Sequence, residues 1–208
     1  MRKNKTFRLV YLALLVAFAV ALHTVEAALP LPIPVPGARL GLANIITLIT
    51  LALYGWGSAL TVAVLRSVIG SMITGAFLGF GFYLSLGGAI MSSLAMALFF
   101  PIYLREKVSL VSVSLAGAVT FNIVQLALAA LIVQNMMLFR GYLPFLLLLA
   151  VPTGIFTGLV AHQLLKAIAH IDLGDTRFKK QEVGGKKQEA RGRRQEAGSK
   201  IQEARGKK

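Results

Sequence analysis

The residues able to do chemistry are few, and each sits in apolar surroundings. His23, Glu26, Asn44, Arg66, Asn122 and Gln125 are separated by long runs of Leu, Ala, Val, Ile and Phe, and Arg39 precedes Asn44 in the stretch PGARLGLANI. An arginine offers a planar fork of donors that matches a carboxylate or phosphate, while an amide offers one donor edge and one acceptor edge. Such a set suits the binding of a small polar or anionic molecule. It does not suit bond cleavage: His23, His162 and His170 fall at different depths or outside the apolar runs, so no nucleophile–base pair is indicated. There is no cysteine, which excludes disulfides, thiolate metal sites and a thiol nucleophile. The aspartates are Asp172 and Asp175, in DLGD beyond the last apolar run, so no DDxxD cluster exists to hold magnesium on a diphosphate. A Gly-rich P-loop is missing as well. The expectation is a protein that is not an enzyme and uses no metal or cofactor.

The elements that must position these groups are membrane helices. Over 208 residues the chain is 56% hydrophobic with a mean hydropathy of +0.73, and its apolar residues fall in long blocks without an amphipathic stripe. Six segments are predicted, over about 9–29, 40–54, 56–77, 82–104, 109–134 and 143–169. The second is short for a hydrocarbon core of about 30 Å. Gly-rich turns separate the second from the third and the third from the fourth, and Pro152-Thr153-Gly154 predicts a kink in the sixth. The first segment has a basic start and small residues near Val25-Glu26-Ala27 that would suit a signal peptidase. Because further spans follow, a retained first helix is favoured. The fold expected is an all-α integral membrane bundle of six transmembrane helices over residues 1–170.

Counting about 1.5 Å per residue from the inner ends, His23 and Glu26 lie about 22 and 27 Å up the first helix, and Asn122 and Gln125 about 20 and 25 Å up the fifth. Asn44 falls near the outer end of the second helix. These groups converge on one level in the outer half of the bundle. Above them runs the stretch with Pro30, Pro32, Pro34 and Pro36, whose fixed φ and missing donors favour a stiff, extended cap. Arg66 is placed deeper, where an arginine costs about 2.5–3.5 kcal/mol to insert. It needs a partner: Glu26, which by the same count lies about 12 Å higher, or otherwise carbonyls, water or an anionic ligand.

Ala13, Ala17 and Ala21 put three small side chains on one face of the first helix, suited either to close packing within the bundle or to docking on another subunit. Gly154 and Gly158 make a similar face on the sixth helix, read as internal. The net charge of +14 divides into +8 over residues 1–170 and +6 over 171–208, so neither part is a dense basic module for nucleic acid. The tail repeats a seven-residue unit (KKQEVGG, KKQEARG, RRQEAGS, KIQEARG) with too few apolar positions for a coiled coil. It reads as a disordered, basic, low-complexity cytoplasmic segment attracted weakly to anionic lipid. Placing the N-terminus inside puts Arg105, Lys107 and the tail inside too, and leaves Arg39 and Arg140 outside. Both termini are expected to be cytoplasmic, in the cell membrane.

Six helices, a basic inner N-terminus, the AxxxA pattern and an ordered first outer loop resemble the substrate-binding S-components of energy-coupling-factor transporters. More closely, PGARLGLANI together with RSVIGSMITG resembles the bacterial Gx transporter family, often labelled heptaprenyl diphosphate synthase component I. The resemblance spans about residues 7–170. It implies a chain that binds a vitamin-like or cofactor-precursor molecule and docks through Ala13 and Ala17 onto a membrane coupling protein driven by two cytoplasmic ATPases. An accessory role in prenyl diphosphate or quinone metabolism is the alternative, and without a DDxxD motif it would be non-catalytic.

Overall fold

The computed structural model describes residues 5–28 and 41–170. The proline-rich stretch with Arg39 and the repeat tail lie outside the described residues. The chain divides into two units, residues 1–166 and 167–208, and the bundle described here belongs to the first. Among the described residues the secondary structure is entirely helical: α1 (Lys5–Ala28), α2 (Asn44–Tyr54), α3 (Trp56–Ile73), α4 (Phe80–Leu104), α5 (Leu110–Ile132) and α6 (Met136–His170). Five of them, all but α2, are long and apolar enough to cross a membrane. Their exposed residues are Leu, Phe, Val, Ile and Met along most of their length, the surface that lipid rather than water solvates.

The 11 residues of α2 rise only about 16 Å. A helix apolar on every side must be buried on every side, and all of Asn44–Leu51 is buried. It packs on α1, α3, α4 and α5. Five of the six helices are thus long candidate spans, and the short α2 is buried among four of them. Gly55 alone joins α2 to α3; its φ of +85° makes the reversal in one residue, a conformation that glycine adopts without a Cβ clash.

α1 and α3 run parallel. At one end Arg8 donates to Ser58 Oγ (3.0 Å) and lies over the Tyr54 ring, 5.8 Å from its centroid; toward the other, His23 packs on Gly70. α4 returns antiparallel to α3, with Ala63, Ala89 and Phe121 forming a buried cluster between α3, α4 and α5. α5 opens on Ser109, whose side chain accepts from Ser112 N (3.2 Å), an N-cap that satisfies one free donor of the first turn.

α6 begins at Met136, earlier than the sequence suggests. Arg140 and Gly141 read as a loop, yet Asn135 Oδ1 accepts from Met137 N (3.0 Å) and starts the helix there. Leu138, Phe139, Tyr142 and Leu143 then pack against buried Leu84, Leu126, Ala129 and Leu146. The helix continues through Pro144 and Pro152. Gly154 and Gly158 are internal, as expected: a Cβ on them would sit 2.9 Å from Leu115 Cα and 2.7 Å from Val111 Cα. Along this seam Ser114 and Thr157 share a hydrogen bond of 2.7 Å. Hydroxyls elsewhere bond back to their own helix, Thr50 to Ile46 O (2.7 Å), Ser67 to Ala63 O (3.1 Å) and Ser71 to Ser67 O (2.6 Å). This hides them where lipid offers no partner.

Candidate functional site

The polar side chains predicted to share a level, His23, Glu26, Asn44, Asn122 and Gln125, are all buried, and so is Arg66, placed deeper by the same count. α1 supplies His23 and Glu26, the start of α2 Asn44, α3 Arg66, and α5 Asn122 and Gln125. Arg39 lies outside the described residues.

Three of these side chains are tied together through one backbone segment. The Glu26 carboxylate accepts a 2.5 Å hydrogen bond from Gly41 N. Gly41 O in turn accepts from Asn44 N at 2.9 Å, and Asn44 Oδ1 accepts from Arg66 Nη2 at 2.6 Å. The height difference counted between Glu26 and Arg66 is thus spanned by the turn that starts α2. Gly41 has φ +84°, and a Cβ there would come within 2.9 Å of Asn44 Nδ2 and 3.4 Å of Phe121 Cδ1. Only glycine fits that conformation and that space. The Phe121 ring also fills the space beside Gly88, where a Cβ would be 2.9 Å from Cε2.

His23 is seated by a second glycine. A Cβ on Gly70 would lie 2.3 Å from His23 Cδ2, so α1 and α3 meet there ring against backbone. On α5, Asn122 Nδ2 donates to Ala118 O at 3.0 Å. Several buried polar atoms find no partner among the described residues: Asn44 Nδ2 and Thr47 Oγ1 on α2, Ser92 Oγ on α4 and Asn122 Oδ1 on α5. Asn44 and Thr47, three residues apart, share one face of α2. Unmet donors and acceptors in an apolar interior are costly unless water or a ligand meets them.

Sequence reasoning missed Gly41 as the partner of Glu26, along with Thr47, Ser92 and the ring of Phe121. A backbone donor has no signature in a sequence, and a Thr within a run of Ile and Leu looks like packing. The glycines carried the available signal, Gly41 within ARLGLAN and Gly70 within RSVIGS. Among the described residues no group of three or more His, Asp or Glu is placed to hold a metal ion. The stripe of Ala13, Ala17 and Ala21 is exposed, beside exposed Leu14 and Phe18.

Fold and site define a multi-pass helical membrane protein with a buried polar belt. The chain belongs to the family described as heptaprenyl diphosphate synthase component I, whose model matches residues 15–164. No curated protein and no solved structure matches it significantly. The matched region takes in the belt and most of all six helices, and the family's printed name points to association with a further component of a synthase.

Proposed function

We propose that this chain is the membrane-embedded binding subunit of a small-molecule or cofactor-precursor transporter, similar to the S-components of energy-coupling-factor systems. It takes an anionic ligand in the outer half of the bundle, with Arg66 and Arg39 as the cationic groups and His23, Glu26, Asn44, Asn122 and Gln125 around them. The observation that carries this reading is the belt itself. Amide, carboxylate and guanidinium groups from α1, α2, α3 and α5 are each buried, those of Glu26, Asn44 and Arg66 linked through Gly41, and polar groups at membrane depth are expensive to keep without a function. The chain does no chemistry of its own. It docks through Ala13, Ala17 and Ala21 on a transmembrane coupling protein driven by cytoplasmic ATPases, and both termini face the cytoplasm of a cell-membrane protein. Mass spectrometry of small molecules retained by the detergent-purified protein tests the reading. The expected result is one anionic species, lost from Arg66→Ala; retention of lipids alone, identical in both proteins, would overturn it.

The family description favours a second reading, a non-catalytic membrane accessory subunit in prenyl diphosphate or quinone metabolism. The two differ in partner. Co-purification with cytoplasmic ATPases supports the first, and co-purification with a soluble protein carrying paired aspartate motifs supports the second.

A further inference from the structure

The two ends of the bundle are built from different residues. At the end where Arg8 meets Tyr54 and Ser58, the α4–α5 turn exposes Arg105, Glu106 and Lys107. At the opposite end, the α3–α4 and α5–α6 turns belong to stretches, 67–104 and 108–139, that contain no Asp, Glu, Lys or Arg at all. The α3–α4 turn exposes Ile73, Phe77 and Leu78, the last at 60%; the α5–α6 turn exposes Val133, Met136 and Met137, the last at 83%, beside the uncharged Gln134 and Asn135, and the first charge, Arg140, is exposed one turn further along α6.

Turn geometry sharpens the contrast. Each of the three turns contains one non-glycine residue with left-handed φ: Leu78 (58°), Glu106 (59°) and Gln134 (55°). The conformation is the same, yet Glu occupies it at the charged end and Leu in the α3–α4 turn. A bulky aliphatic residue in left-handed backbone is uncommon and carries strain. Here the strain turns a leucine outward at the tip of a turn, which would be unfavourable in water and is favourable in hydrocarbon. Phe77, Phe82 and Tyr83 form a ring cluster beside it, with centroids 5.2 Å and 5.4 Å apart in successive pairs, and aromatic residues gather at membrane interfaces. Depth agrees. The 18 residues of α3 rise about 27 Å from Trp56, so the turn falls at the edge of a hydrocarbon layer about 30 Å thick.

We infer that the two uncharged turns at this end of the bundle are seated in lipid: the α3–α4 turn around Phe77 and Leu78, with Met136 and Met137 of the α5–α6 turn, inserts among phospholipid acyl chains and does not stand in water. The inference does not depend on what the polar belt binds.

Depth-dependent fluorescence tests it on the full chain in phosphatidylcholine vesicles. Trp56 is the sole tryptophan, so Trp56→Phe gives a silent background into which Phe77→Trp, Met137→Trp and, on the charged turn, Lys107→Trp are placed one at a time. With bromine on the acyl chains, Phe77→Trp and Met137→Trp are expected to lose about half their emission or more, and to be quenched by acrylamide about threefold less than Lys107→Trp. Acrylamide quenching equal to that of Lys107→Trp would place the turns in water and overturn the proposal. Protection from both quenchers would mean that protein, not lipid, covers them, and would overturn it equally. Either reporter suffices should the other variant fail to fold.

Discussion

Arg66 Nη2 lies 2.6 Å from Asn44 Oδ1, and this one contact fixes which way the Asn44 amide points. A guanidinium only donates, so the amide atom facing it is the oxygen and the NH2 group is turned the other way. Among the described residues that NH2 group has no acceptor. Arg66 therefore holds a donor in place within the belt as well as carrying charge.

Asn44→Asp and Asn44→Leu are expected to move stability in opposite directions. Aspartate keeps an acceptor toward Arg66 and adds a charge, so the melting temperature should hold or rise. Leucine removes the acceptor from a buried cation and should cost about 1.5–3 kcal/mol. Denaturation of both variants in one detergent compares them directly.

Gly70→Ala should destabilise by about 1–3 kcal/mol, the usual penalty for overpacking a tight interior, because the new Cβ falls 2.3 Å from His23 Cδ2. Adding His23→Ala removes the obstacle. A double-mutant cycle on unfolding should then show favourable coupling between the two changes, and strict additivity would mean that the ring is not held against α3.

Ala13→Leu and Ala17→Leu should leave the isolated protein's stability within about 0.5 kcal/mol, as surface substitutions usually do, since both positions are exposed. Association with the proposed coupling protein should fall in the same variants, measured by co-purification. Unfolding of the isolated variants would mean that the stripe supports the bundle.

Lys107→Cys introduces a single thiol into a chain that has none. If the charged end is cytoplasmic, a membrane-impermeant maleimide labels it only after intact cells are opened. Labelling from outside would reverse the topology.

The helices were legible because apolar blocks of 18 residues or more have few other outcomes in a membrane protein. The start of α6 was not, since Arg140 and Gly141 resemble a loop; the cap that decides the matter, Asn135, is a single residue whose role depends on Leu138, Phe139 and Tyr142 finding Leu84 and Leu126. Counting rise per residue placed His23, Glu26, Asn44, Asn122 and Gln125 at a common level, and all are buried in the fold. It could not join Glu26 to Arg66 through Gly41 and Asn44, because that link runs through a backbone amide and a left-handed glycine, and neither has a periodicity to detect.

The short inner helix is also a lever. α2 is a single rigid rod of 11 residues with Asn44 at one tip and Tyr54 at the other, and a hydrogen-bonded helix transmits axial motion far better than it absorbs it. Whatever shifts Asn44 is felt at Tyr54, where Arg8 rests on the ring, and at Gly55, the one joint before α3. Were the belt to take the proposed ligand, this rod would connect it to the first turns of α1 and α3 at the far end of the bundle.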